Sequence, residues 1–152
     1  KELKSKKSEL GFISRVVAIF IKDKENKILL CKRSDDKSID PGLYDLSAVG
    51  NVDAGEDYET AAKRELKEEL DIECDLNMLD KFYQEPNHQG KTFKIFCGIF
   101  LGITDQEPKL NHELVSFRKM ALEEIEKEIQ QDPKKFCEGF INDFNKVKNK
   151  LS

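Results

Sequence analysis

Between Asp57 and Leu70 the chain carries no glycine or proline and consists almost wholly of good helix formers, which predicts a helix of about four turns. The apolar blocks around it are short and separated by polar turns, so they read as strands. Val16–Lys22 and Lys27–Lys32 flank the turn Asp23-Lys24-Glu25-Asn26 and predict a hairpin. Ser34–Gly42 is a polar loop, and Leu43–Val49 supplies one or two short extended pieces before Gly50. Leu76–Gln84 and Thr92–Ile103 predict two more strands, joined through Pro86–Gly90, and Leu114–Met120 a later one. Leu122, Ile125 and Ile129 then recur at helical spacing. Asp132-Pro133 has the chemistry of an N-cap followed by a first-turn proline, opening a last helix with Phe136, Phe140, Phe144 and Val147 on one stripe. This order predicts an α/β fold, a mixed β-sheet flanked by helices.

A chain of 152 residues with 38% hydrophobic content supports one compact core. We read a single domain over residues 10–152, preceded by a lysine-rich segment, residues 1–9, that looks flexible and detached. The net charge of −4 gives no general attraction to nucleic-acid polymers or an anionic bilayer, so any phosphate must be met locally or through a cation. The longest apolar run, Val16–Ile21, is far too short to span a membrane, and Arg15 interrupts the only stretch that imitates a signal peptide. Cys31, Cys74, Cys97 and Cys137 stand far apart, with only His88 and His112 to assist them. Such spacing favours free thiols in a reducing cytoplasm over a zinc site or a disulfide framework.

The strong helix has a second property. Glu65, Glu68 and Glu69 lie three and four residues apart and share one face, beside the apolar stripe of Ala62, Leu66 and Leu70. Glu65 and Glu69 repel each other at i,i+4, so helix stability alone does not favour them and a positive partner is expected against that face. A solvated surface laced by Glu59–Lys63 and Arg64–Glu68 pairs is the plainer alternative. The preceding segment changes the balance. Gly50 is followed after five residues by Glu56, and after seven more by Arg64-Glu65-Leu66-Lys67-Glu68-Glu69-Leu70-Asp71-Ile72. This arrangement resembles the box of the Nudix hydrolase family, departing from it only at Asp71, where the family has glycine. The family uses that glycine in a left-handed turn at the helix end, a conformation aspartate tolerates better than most residues, so a slightly strained or shifted helix end is expected.

The resemblance implies the Nudix fold, an α/β/α sandwich, and cleavage of a diphosphate bond by water in a nucleoside diphosphate linked to another moiety or in a related organic pyrophosphate. It implies Mg2+, with Mn2+ able to substitute, held by Glu65, Glu68, Glu69 and the carbonyl of Gly50. Clustered carboxylates suit that hard cation, with waters and substrate oxygens completing its shell. Arg64 would orient the glutamates and Glu56 would brace the turn into the helix. A general base recruited from outside the box falls first to Glu113, then to Glu107 and Glu85. Arg33, ending the second strand, matches a position where similar proteins place a substrate-binding arginine, and its guanidinium suits phosphate oxygens. Similar enzymes are often dimers, which leaves a homodimer open. The segment Leu43–Val52 lacks the family's common Pro-Gly-Gly and looks more like the branch related to isopentenyl-diphosphate isomerases. Those isomerases carry a catalytic cysteine immediately before the box glycine, where this chain has Val49, and this chain has no tryptophan to embrace a carbocation. A non-catalytic nucleotide-binding module is the remaining alternative.

Overall fold

The computed structural model describes residues 13–36, 41–88, 90–110 and 114–152. The lysine-rich segment 1–9, His112 and Glu113 lie outside these residues.

β1 (Ile13–Lys22) is the axis of a seven-stranded mixed sheet. One edge of β1 pairs in parallel with β8 (Lys94–Ile103) along its whole length, from Ile13↔Lys94 to Lys22↔Ile103. β5 (Leu76–Gln84) continues the sheet antiparallel to β8, with a bulge between Met78 and Asp80. The other edge of β1 is divided. β2 (Ile28–Arg33) meets it only at Lys22↔Ile28, so the expected hairpin parts immediately after its turn. Two short strands enter the gap: β3 (Tyr44–Asp45) pairs with β2, and β4 (Ala48–Asn51) pairs with β1 from Val16↔Asn51 to Ile19↔Ala48. β9 (Leu114–Met120) closes the far edge of β2, with a register shift at Lys32/Arg33. β6 (Asn87–His88) and β7 (Lys91–Thr92) form a separate small ribbon.

The fork between β1 and β2 is pinned by one hydroxyl. Ser47, 1% exposed, accepts from the Ile21 N–H at 2.9 Å and donates to the Leu29 carbonyl at 2.8 Å. Parting strands would otherwise leave these backbone groups unpaired in the core, at a cost of about 1–3 kcal/mol each. The fork thereby delivers the β4 glycine, Gly50, to the middle of the molecule.

Period-two alternation along β1 builds a core on each face of the sheet. Val17, Ile19 and Ile21 face α1 (Tyr58–Leu70), packing with Ala61, Ala62, Leu66 and Leu70. Ala18 and Phe20 face the other side, against Ile125 of α2 (Leu122–Gln131) and Phe140, Phe144 and Val147 of α3 (Glu138–Val147). The result is the expected sandwich of helices about a mixed sheet, and the terminal phenylalanine stripe is core.

α1 starts where Asp57 caps the Thr60 N–H at 2.7 Å and ends at Asp71, whose backbone is left-handed at φ 56°, ψ 38°. The Asp71 N–H still reaches the Lys67 carbonyl at 3.0 Å and its carboxylate pairs with Lys67 Nζ at 2.7 Å, so aspartate completes the turn usually given to glycine. One expectation is corrected. Asp132-Pro133 does not open the last α-helix: Asp132 makes no side-chain cap, residues Pro133–Lys135 form a single 3-10 turn, and Phe136 is extended before α3 begins at Glu138. Asp132 instead ends α2, donating its N–H to Glu128. The extended break is fixed by the Cys137 N–H, which bonds the Tyr44 carbonyl at 2.9 Å.

Candidate active site

Gly50, the loop 52–57 and one face of α1 converge at the fork. Arg64 is the hub. Its Nε and Nη2 clasp both Glu56 oxygens at 2.8 and 2.9 Å, Nη2 also donates to the Asn51 carbonyl at 2.9 Å, and Nη1 donates to Glu65 at 2.9 Å and Glu68 at 3.2 Å. Glu56 in turn accepts from the Asp53 N–H at 2.8 Å, which closes the loop on itself. These donors hold the Glu56 carboxyl down at about 2, well below the usual carboxylate range, and Glu56 raises the Arg64 guanidinium further above its own. Arg15 adds a second brace, its guanidinium donating to the Glu56 and Asp53 carbonyls at 3.3 Å and lying over the Tyr58 ring.

Glu65 is half-buried beneath this network. Burial pushes its carboxyl up, against the opposing pull of Arg64. It lies flush against Gly50, where any Cβ would overlap the Glu65 carboxylate. Glu69, one turn on, accepts from the Val49 N–H at 3.1 Å, while Glu68 is exposed. Helix and strand are thus joined on both sides of Gly50, by the Glu69 carboxylate at Val49 and by the Arg64 guanidinium at the Asn51 carbonyl. Among the described residues no three acids, cysteines or histidines are already gathered as metal ligands. The donor set nevertheless fits a hard divalent cation: all-oxygen, anionic, one member partly desolvated, and shaped so that a side chain on Gly50 would fill the space the carboxylate uses.

Beyond Val49 lies a cavity of about 440 Å3, walled by β1, the β3 region, the end of β5, β8 and the start of α3. Arg33 lines it, ion-paired with Asp45 at 3.6 Å. The other residues singled out from sequence are dispersed. Glu85 and Glu107 are exposed, and Glu113 and His112 lie outside the described residues, as does the His88 side chain. Cys31, Cys97 and Cys137 are buried and Cys74 is half-buried; burial pushes the Cys31 thiol up to about 12. Tyr44 packs on Phe136 at a ring separation of 6.2 Å, whereas Tyr83 and Phe96 form an exposed pair at 5.1 Å.

Two participants were not singled out from sequence. Arg15 read only as an interruption of an apolar run, and nothing in its spacing marks the loop it braces. Asp143 had a signal: it stands three residues after Phe140 and one before Phe144, so it falls on the buried stripe of α3, where it is 7% exposed.

Comparison with known proteins agrees with this geometry. An uncharacterized Nudix hydrolase of Pseudomonas aeruginosa is 32% identical over 111 residues, covering 71% of this chain and 62% of that protein. An isopentenyl-diphosphate Delta-isomerase of Pectobacterium atrosepticum is 25% identical over 139 residues, covering 90% of this chain and 78% of the isomerase. The chain therefore spans under two thirds of the Pseudomonas relative's length. A crystal structure of a Deinococcus radiodurans protein superposes with a TM-score of 0.66 at 27% identity, covering 78% of this chain and 74% of that one. The MutT protein of Methanosarcina mazei, at 22% identity, shares the fold, with a TM-score of 0.68 over 87% of this chain and 89% of its own. No helix among the described residues is long and apolar enough to cross a membrane. Residues 13–140 match the NUDIX domain, and with the helix, glycine and carboxylates in place the chain belongs to the Nudix family.

Proposed function

We propose that this chain is a metal-dependent pyrophosphohydrolase, splitting the diphosphate bond of a nucleoside diphosphate linked to a second group, or of a related organic pyrophosphate. The observation that carries this reading is the contact between Gly50 and Glu65, flanked by the Glu69 bond to the Val49 amide. Glu65 and Glu69 repel each other at i,i+4, so the stability of the helix by itself does not account for the pair.

In this reading Glu65, Glu68, Glu69 and the Gly50 carbonyl hold Mg2+, or Mn2+ in its place. The cation would neutralise diphosphate charge and lower the pKa of an attacking water. Arg64 positions the carboxylates without touching substrate, because its five donated hydrogen bonds to Glu56, Glu65, Glu68 and Asn51 fix the helix face relative to the loop. Arg33, at the cavity wall, binds phosphate oxygens while Asp45 orients its guanidinium. Glu113 is our assignment for a base supplied from outside the box. The free thiols accord with a reducing cytoplasm.

A second reading, isopentenyl-diphosphate isomerase, is favoured by the names of several relatives. Against it, Val49 occupies the place of the catalytic cysteine and lends its amide to Glu69. The test is product analysis, scored for which bond breaks, after incubation of purified protein with and without Mg2+ with a panel of nucleotide sugars, ADP-ribose, nucleoside triphosphates, dinucleotides and isopentenyl diphosphate. Metal-dependent hydrolysis of a member supports the hydrolase. Isomerised isopentenyl diphosphate without hydrolysis supports the isomerase, and neither reaction would point to a binding module.

A further inference from the structure

The cavity beyond Val49 contains a group that the fold does not need. Asp143 lines it, is 7% exposed, and its Oδ1 has no hydrogen-bond partner among the described residues. It occupies the inward stripe of α3, between Phe140 and Val147, where an apolar side chain would cost nothing. The cavity that it borders starts at Val49, whose amide holds Glu69, so a diphosphate at the carboxylates would direct its organic moiety toward Asp143.

We propose that Asp143 is a specificity-determining residue, whose buried carboxyl hydrogen-bonds the edge of a neutral nitrogen heterocycle on the substrate, accepting from its N–H and donating to its adjacent ring nitrogen or carbonyl. This rests on the diphosphate reading given above. The surroundings raise the share of the protonated, two-way form above that of an ordinary carboxyl. Burial and the facing carboxylate of Asp45 push Asp143 up to about 7, and Lys146 on the next turn only partly opposes them. The Cys97 thiol also faces it, and Arg33, the cation across the cavity, is engaged with Asp45. A hydrocarbon chain would leave Oδ1 unsatisfied. Val16, Ala18, Leu46 and Ile95 supply apolar walls for a ring, and Asn87 and Asn142 further polar groups at its border.

Calorimetric binding of ADP, GDP, CDP, UDP and inorganic pyrophosphate, with Ca2+ replacing Mg2+ to hold off turnover, tests this in wild type, Asp143→Asn and Asp143→Leu. At least one nucleoside diphosphate should bind wild type more tightly than pyrophosphate. Its affinity should fall about tenfold or more in the Leu variant and stay within about threefold in the Asn variant, which retains a donor and an acceptor. Pyrophosphate affinity should not change. Unchanged nucleotide affinity in the Leu variant overturns the inference, as do equal losses in both variants. Should the Leu variant not fold, a loss of about tenfold or more in the Asn variant alone overturns it, and retained affinity upholds it. If pyrophosphate binds but no nucleoside diphosphate binds better, this inference fails alone; if neither pyrophosphate nor any nucleoside diphosphate binds, the hydrolase reading fails with it.

Discussion

The two sides of Val49 place their carboxylates in opposite circumstances. On the helix side, Glu56 and Glu65 share one arginine, and among the described residues every hydrogen-bond partner of Arg64 comes from residues 51–68. On the cavity side, Asp143 is buried, its Oδ1 without a partner among the described residues, in walls drawn from Val16 to Asp143. The first set is fixed by protein alone, with Glu56 driven down to about 2. The second is left with Asp143 up at about 7, a state that costs stability and makes physical sense where a ligand completes it.

Replacing a helix-side carboxylate should give the largest effect. Glu69→Gln removes the charge but leaves an oxygen to accept from Val49, so turnover should fall about 100-fold or more with little change in Tm. Unchanged turnover would break the metal assignment. Gly50→Ala drives a methyl group into the Glu65 carboxylate, and should cut kcat about tenfold or more and weaken Mn2+ binding, both read on the same preparation. Arg64→Lys keeps the charge but cannot span Glu56, Glu65 and the Asn51 carbonyl together; Tm should fall by several degrees and kcat more than KM should suffer.

The cavity side should respond with the opposite sign. Asp143 binds its proton more tightly when folded than when unfolded, so wild-type stability falls as pH rises from about 4 to about 7 and levels off above. Asp143→Asn lacks that loss. Its Tm should exceed wild type by a few degrees at pH 8, and the gap should close on acidification toward pH 4, as thermal melts across that range would show. A constant gap would remove the contrast between the two sides. Asp71→Gly should do least: relief of the left-handed backbone is offset by glycine's unfolded-state entropy and loss of the Lys67 pair, leaving a shift in Tm of at most about 3 °C.

The same contrast explains what was legible in the sequence. Helical periodicity and fixed spacing are local, so Asp57–Leu70, the stripe of Glu65, Glu68 and Glu69, and the alternation along Val16–Ile21 could be read directly. The fork was not. A polar turn between two apolar runs signals a hairpin, but nothing in those runs says that β3 and β4 will displace one strand from the other, or that Ser47 will join both. Asp132-Pro133 carried a valid start signal that tertiary structure overrode, because Tyr44 captures the Cys137 amide and keeps the backbone extended. The cavity wall depends on residues more than a hundred positions apart, which no periodicity links.

The central claim is that Gly50, Glu65, Glu68 and Glu69 gather a divalent cation, and water-proton relaxation during Mn2+ titration reads it without any substrate. Wild type should bind with an affinity that drops about tenfold or more in a Glu65→Gln/Glu68→Gln double variant of unchanged fold. Equal affinity in the two proteins would contradict the account.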